Sequence, residues 1–237
     1  MKLPRIDYPT FITELPSSGK KVKYRPFLIK EEKMLLIASE TKVSAEIIEN
    51  VNTVIQNCLL ETDINVSELP SYDAQWLFLR LRQVSISDTV SARVKCPITG
   101  KFFETEIKLA KTQIVKDQKR SNKILFENNV GVVMRDLTLK DVFCDNALDV
   151  LDSYAAVLNL ITKCIVQIFD ENNVYDAKDI SKEEMIDFVE SLRKEHFDKI
   201  SEYFETLPKM KLEDEVFSPH ANQNIKVVLD NFMDFFA

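Results

Sequence analysis

Apolar residues of the chain recur in two stretches at helical spacing. Ile47, Ile48, Val51, Val54, Ile55, Cys58 and Leu59 follow three- and four-residue steps, and Val157, Leu160, Ile161, Cys164, Ile165 and Ile168 do the same. This predicts helices over 44–60 and 153–169. Each stretch is followed by an acidic, polar loop and a helix-start signal. Pro70, Ser71 and Asp73 precede AQWLFLRLR, and Ser181 with Glu184 precedes MIDFVESLR in the S-x-x-E spacing of a capping box. Two more helices are therefore expected, over 71–83 and 181–195. The first of these is apolar nearly all round through Trp76, Leu77, Phe78, Leu79 and Leu81, which suits either the core or a surface buried by a partner.

Between the helical stretches the period changes to two. FITEL (11–15) and KVKYRPFLIKEEK (21–33) flank a Ser-Ser-Gly turn, and ILFEN (124–128) leads into VGVVMRDLTLKDV (130–142). VSARVKCPITGKFFETEIKL (90–109) and LEDEVFSPHANQNIKVVL (212–229) alternate around CPITG and SPHANQ turns, as hairpins do. An offset of 110 residues places Arg25 on Arg135 and Lys30 on Lys140, and Pro97 meets Pro219 at an offset of 122. The order hairpin, helices, hairpin thus occurs twice. The expected architecture is α+β, a tandem duplication in which each half is a small helical bundle with short antiparallel hairpins. The first repeat spans 1–109, a basic linker 110–123, and the second repeat 124–237. Lys108 to Lys123 holds six basic residues against the single acid Asp117, which reads as a solvated linker or as a contact with an acidic partner surface.

Charge and composition narrow the function. A net charge of −7 opposes nucleic-acid binding, and the longest uncharged apolar run, Ser153 to Thr162, is too short to span a bilayer. The opening MKLPRIDYPTF shows no secretory signal pattern. Only Gly19, Gly100 and Gly131 occur, too far apart for a phosphate-cradling loop. Cys58, Cys96, Cys144 and Cys164 are scattered and read as reduced thiols.

Candidate chemistry is sparse. CPITG resembles half of a zinc knuckle, with Cys96 at the first ligand position and Thr99 at the second, while Ser218 and Ala221 hold the matching places in SPHANQ. One cysteine and His220 cannot complete a tetrahedral set, so tight β-turns are expected instead. No Cys–His pair has an orienting third group, and Asp170-Glu171-Asn172-Asn173 lacks the glycine and distal acid of an EF-hand. Neither a catalytic residue, a cofactor, a metal ligand nor a small-molecule substrate is expected. The distinctive segment is the C-terminus, where Phe232, Met233, Phe235 and Phe236 crowd together. They either fold back on the second half or form a docking peptide, since exposed aromatics and Met mark interfaces.

YRPFLIKEEKMLLIA, AQWLFLRLRQVSISDTV, CPITGKFFETEIKL and the closing LDNFMDFF resemble the baseplate hub assembly proteins of T-even-like (T-four type) contractile-tailed bacteriophages, over about Val22 to Phe236. The family pattern pairs cysteines in a CPxCG-like knuckle, from which Thr99 and the SPHA turn depart. The resemblance implies a non-enzymatic protein that builds or joins the central baseplate hub through contacts with other tail proteins. It implies a place in the virion tail or in the host cytoplasm during assembly, with no nucleic acid or membrane as partner. A transient assembly chaperone is the alternative. A tail-associated enzyme would need a positioned carboxylate pair, and a metal-dependent module about one zinc ion per chain.

Overall fold

Three hairpins of the chain close through the same four-residue loop. The computed structural model describes residues 6–41, 44–143 and 154–229. β1 (Phe11–Glu14) and β2 (Lys21–Tyr24) join through Pro16–Gly19, β3 (Thr89–Lys95) and β4 (Phe102–Lys108) through a loop from Pro97 to Gly100. β10 (Lys209–Ser218) and β11 (Gln223–Leu229) join through a loop from Pro219 to Asn222. In each, proline fixes φ at the first loop position. The last loop residue is left-handed, with φ of 69° at Gly19, 70° at Gly100 and 53° at Asn222. Its amide donates to the carbonyl four residues back, at 2.8 Å for Gly19 to Leu15, 2.8 Å for Gly100 to Cys96 and 2.9 Å for Asn222 to Ser218. A Cβ at Gly100 would meet nothing within 4 Å, so only the backbone resists a side chain. Gly100→Ala is expected to cost about 1–2 kcal/mol, the penalty of a left-handed L-residue, read as a lower urea midpoint at unchanged m.

Contacts divide the chain into two compact units, one of residues up to Val115 together with those from Lys209 on, the other Lys116–Pro208. In the first unit, α1 (Ile29–Thr41) packs on α2 (Ser44–Cys58), and α2 on α3 (Ser71–Ser85). The apolar spacing read from the sequence is the buried face of α2, with Val51, Val54, Ile55 and Cys58 at most 1% exposed. Polar contacts fix the first hairpin to α3: the Ser17 amide and hydroxyl both donate to the buried Asp73, and Trp76 Nε1 donates to Thr13 Oγ1 at 3.1 Å. Two further sheets, β3–β4 and β11–β10–β5 (β5 being Gln113–Val115), share one core. Phe103, Ile107 and Leu109 meet Leu212, Val216, Ile225 and Val227 there, with Leu79 of α3.

The second unit is built on a four-stranded antiparallel sheet in sequence order. Its strands are β6 (Lys123–Leu125), β7 (Gly131–Met134), β8 (Ile165–Phe169) and β9 (Val174–Asp176). Its helices are α4 (Leu139–Phe143), α5 (Tyr154–Cys164), α6 (Lys182–Glu190) and α7 (Lys194–Glu205). Ile124, Val132, Ile161, Ile168, Met185, Val189 and Ile200 form its core. The expected capping box opens α6: Ser181 Oγ accepts from the Glu184 amide, and the Glu184 carboxylate accepts from the Ser181 amide.

One local device occurs in both units. The Arg25 amide donates to the Cys58 carbonyl (3.0 Å), and the Arg25 guanidinium reaches Glu31 (3.1 Å), which accepts from the Leu28 amide ahead of α1. The Arg135 amide donates to the Cys164 carbonyl (2.8 Å), and its guanidinium reaches Asp141 (2.6 Å), which accepts from the Thr138 amide. Each arginine thus links a helix end, a strand end and the capping carboxylate of the next helix.

The expected tandem duplication of helical bundles is not formed. The fold is mixed α+β, with seven α-helices and eleven strands in four sheets among the described residues, and its two units are built differently. After α2 the chain makes a single bridge, Leu59 to Tyr24, before the polar Glu61-Thr62-Asp63 ends the pairing. After α5, Ile165–Phe169 continues as a full strand, and the expected helix over 153–169 stops at Cys164. The terminal hairpin of the second sequence half packs not with its own half but on β3–β4. Local order along the chain was similar; long-range pairing is what differs.

Candidate functional site

The tips of β3–β4 and β10–β11 meet in the first unit and bring together residues singled out by the two turn motifs. The Ser218 and Thr99 hydroxyls bond the Cys96 sulfur, and the Ala221 amide donates to Ser218 Oγ at 3.3 Å. His220 Nε2 lies 3.3 Å from the Phe102 carbonyl oxygen, and its ring meets Phe103 edge-on at 6.3 Å. Cys96 is buried, and the Ser218 hydroxyl first, then Thr99, hold its thiol down to about 7. Ser218→Ala should therefore raise the midpoint of Cys96 alkylation with pH, followed by mass spectrometry; an unchanged midpoint would exclude the hydroxyl as the cause. The other two described thiols behave oppositely, since burial pushes Cys58 up to about 11 and Cys164 up to about 12.

The knuckle-like turns do not fit a zinc ion. A tetrahedral structural site uses cysteine, histidine or carboxylate donors, whereas Thr99, Ser218 and Ala221 offer two neutral hydroxyls and a methyl beside one thiol. Among the described residues, no group of three or more His, Cys, Asp or Glu could hold a metal. The loop shape itself belongs to the Pro-x-x-Gly or Pro-x-x-Asn sequence, because the Leu15 turn adopts it without a thiol.

Around this polar centre the tips expose apolar side chains. Ile98 is 58% exposed, Phe102 52% and Phe217 56%, while the neighbouring Phe103 is buried in the shared core. The Arg93 guanidinium lies 5.0 Å above the Phe102 ring, and Lys95 pairs with Phe102 across the hairpin. The sequence carries a faint mark of this surface. Its signal was the doubled Phe102-Phe103, since adjacent strand residues face opposite ways and one ring must point outward. By contrast, the apolar helix α3 belongs to the core, with Leu77, Phe78, Leu79 and Leu81 buried. Phe232, Met233, Phe235 and Phe236 lie outside the described residues.

Alongside β10–β11 lies an open groove of about 490 Å³, lined by Lys111, Glu213, Asp214, Glu215, Asn224 and Lys226. Two of its three carboxylates have cationic partners. Lys211 and Lys226 each donate to Glu213 at 2.6 Å and hold it down to about 2, and Lys111 pairs with Asp214. These are ion pairs of a solvated sheet face, of which Lys226–Glu213 crosses between β10 and β11. His196 of the second unit stacks on Phe126 at 4.6 Å and lies beside Arg193, a packing arrangement without a nucleophile among the contacts it makes.

A family model described as T4 bacteriophage base plate protein matches residues 8–237. The chain belongs to this family. It is a phage baseplate protein, and the match covers both units and both hairpin tips. Searches of the curated proteins and of the solved structures return no match. No described helix of this baseplate protein is long and apolar enough to cross a membrane.

Proposed function

We propose that this baseplate protein acts in the central hub, without catalysis, by binding other tail proteins and joining them during assembly. The observation that carries the reading is the family match over residues 8–237. The exposed Phe102, Ile98 and Phe217, on rigid hairpins, are the kind of side chains that supply binding energy at interfaces. The C-terminal Phe232, Met233, Phe235 and Phe236 belong to the same proposal as a docking peptide. Quantitative mass spectrometry of purified virions and of tail-assembly intermediates tests it. Recovery at a fixed copy number with hub components is the expected result. Presence in intermediates alone would make the protein a transient chaperone, and absence from both would end the hub reading.

A further inference from the structure

We propose that the β3–β4 tip is a docking surface for an acidic protein face, with Phe102 and Ile98 as its apolar centre and Arg93, Lys95 and Lys101 as its charged rim. This deepens the baseplate reading and rests on it. The charge distribution is the first support. The whole chain carries −7, yet residues 93–104 hold three cations against one acid, Glu104. The adjoining tip, from Val216 to Ile225, contains no acid. All three cationic residues are exposed, and among the described residues Lys95 and Lys101 take part in no ion pair. This differs from the groove alongside β10–β11, where Lys111 pairs with Asp214 and Lys211 and Lys226 pair with Glu213.

Shape is the second support. Phe102 is half exposed on a hairpin held by the Cys96 hydrogen bonds, the His220 contact and the Phe103 packing beneath it. A ring presented on a fixed strand loses little conformational freedom on binding. An aromatic centre ringed by charge matches the core-and-rim anatomy of protein interfaces. A nucleic acid would require a longer cationic track along its phosphates. Three cations clustered about a phenyl ring and an isoleucine fit a compact apolar patch bordered by carboxylates instead, and the rim charges would steer the encounter.

The test uses the full-length protein and baseplate intermediates purified from an infection that lacks it. A carbodiimide, which joins amines only to carboxylates in contact, is applied to the reconstituted assembly. The expected product links Lys95 or Lys101 to an Asp or Glu of another tail protein. Lys95→Glu with Lys101→Glu should abolish that link and weaken binding by about tenfold or more, and Phe102→Ala by a similar factor. These positions are exposed, so the variants should keep the wild-type melting temperature. If wild-type protein binds and the variants bind equally well, the docking surface is elsewhere. A link between two copies of this chain, or retention of phage DNA that the charge reversal removes, would likewise overturn the proposal. If even the wild type fails to bind the intermediates, it is the baseplate-assembly reading that has failed.

Discussion

Replacing Glu31 by alanine is expected to destabilise the first unit by about 3–5 kcal/mol, the usual cost of stranding a buried charge. Glu31 is fully buried, and Arg25 beside it is 13% exposed. The carboxylate accepts from the Leu28 amide at the start of α1 and from Arg25, which also donates to the Pro26 and Asn57 carbonyls. Without Glu31 the guanidinium keeps its burial and loses its counter-charge, while α1 loses its cap. The chain's single tryptophan, Trp76, lies in α3 of this unit, so urea unfolding followed by its fluorescence reads the loss directly. Asp141→Ala in the second unit should cost less, about 2 kcal/mol, because Arg135 is 36% exposed and water can replace the lost partner.

The same carboxylate gives the acid limb its sign. Burial works to raise the Glu31 pKa, but Arg25, the Leu28 amide and Lys30 outweigh it and hold it below the ordinary value. A depressed carboxylate contributes its full stability above the unfolded pKa, roughly 4.3, and loses it as pH falls through the folded value. The first unit should therefore weaken between pH 5 and lower values, and Glu31→Ala should flatten that fall. An unchanged acid slope in the variant would show that other groups control it.

Gly131→Ala is expected to be the most damaging single-methyl addition in the second unit. A Cβ there would run into both the Ile124 carbonyl oxygen and the Phe169 ring, closer than real Cβ atoms approach their neighbours. Phe169 lies directly across from Gly131 in the β7–β8 register, and Lys123 sits 4.4 Å above its ring. Overpacking of this kind costs about 1–3 kcal/mol. The upper end is expected here, because a backbone carbonyl on β6 cannot swing aside as a side chain can. Amide exchange across β6, β7 and β8 is the measurement. Adding Phe169→Ala should restore only part of the protection, since the Ile124 carbonyl remains; full restoration would show that the ring alone was the obstacle.

The parts of the fold that depend on neighbours in sequence were legible. The four expected hairpins form where they were expected, while β8–β9 forms one more, and the Ser181–Glu184 box opens α6 with both of its hydrogen bonds. The errors arose where two periods fit the same residues. Ile165 and Ile168 extend the helical spacing of α5, yet Ile165-Val166-Gln167-Ile168-Phe169 is also a β-branched, aromatic run, and β7 was waiting to pair with it. The helix expected over 181–195 breaks at Ser191, whose amide returns to Asp187 and Phe188, and α7 begins at Lys194. Phe197, Ile200, Tyr203 and Phe204 carried a helical signal for α7 that the reading did not use. The choice of partner for β10–β11 had no local signal, because any apolar strand face satisfies the alternation of Leu212, Val216, Ile225 and Val227. At the candidate site, the turns were legible as turns, but which ring faced outward became clear only from the register of β4.

The division of the first unit between the two ends of the chain sets a timetable for its synthesis. Phe103, Ile107 and Leu109 leave the ribosome with β4, but the strands that cover them start at Lys209, after the whole of Lys116–Pro208. At about 5–20 residues per second, that interval lasts several seconds to some twenty seconds. The second unit, contiguous in sequence, can complete its sheet and core during the wait. The first unit meanwhile carries an open apolar strand face, and it closes only when β10 and β11 arrive.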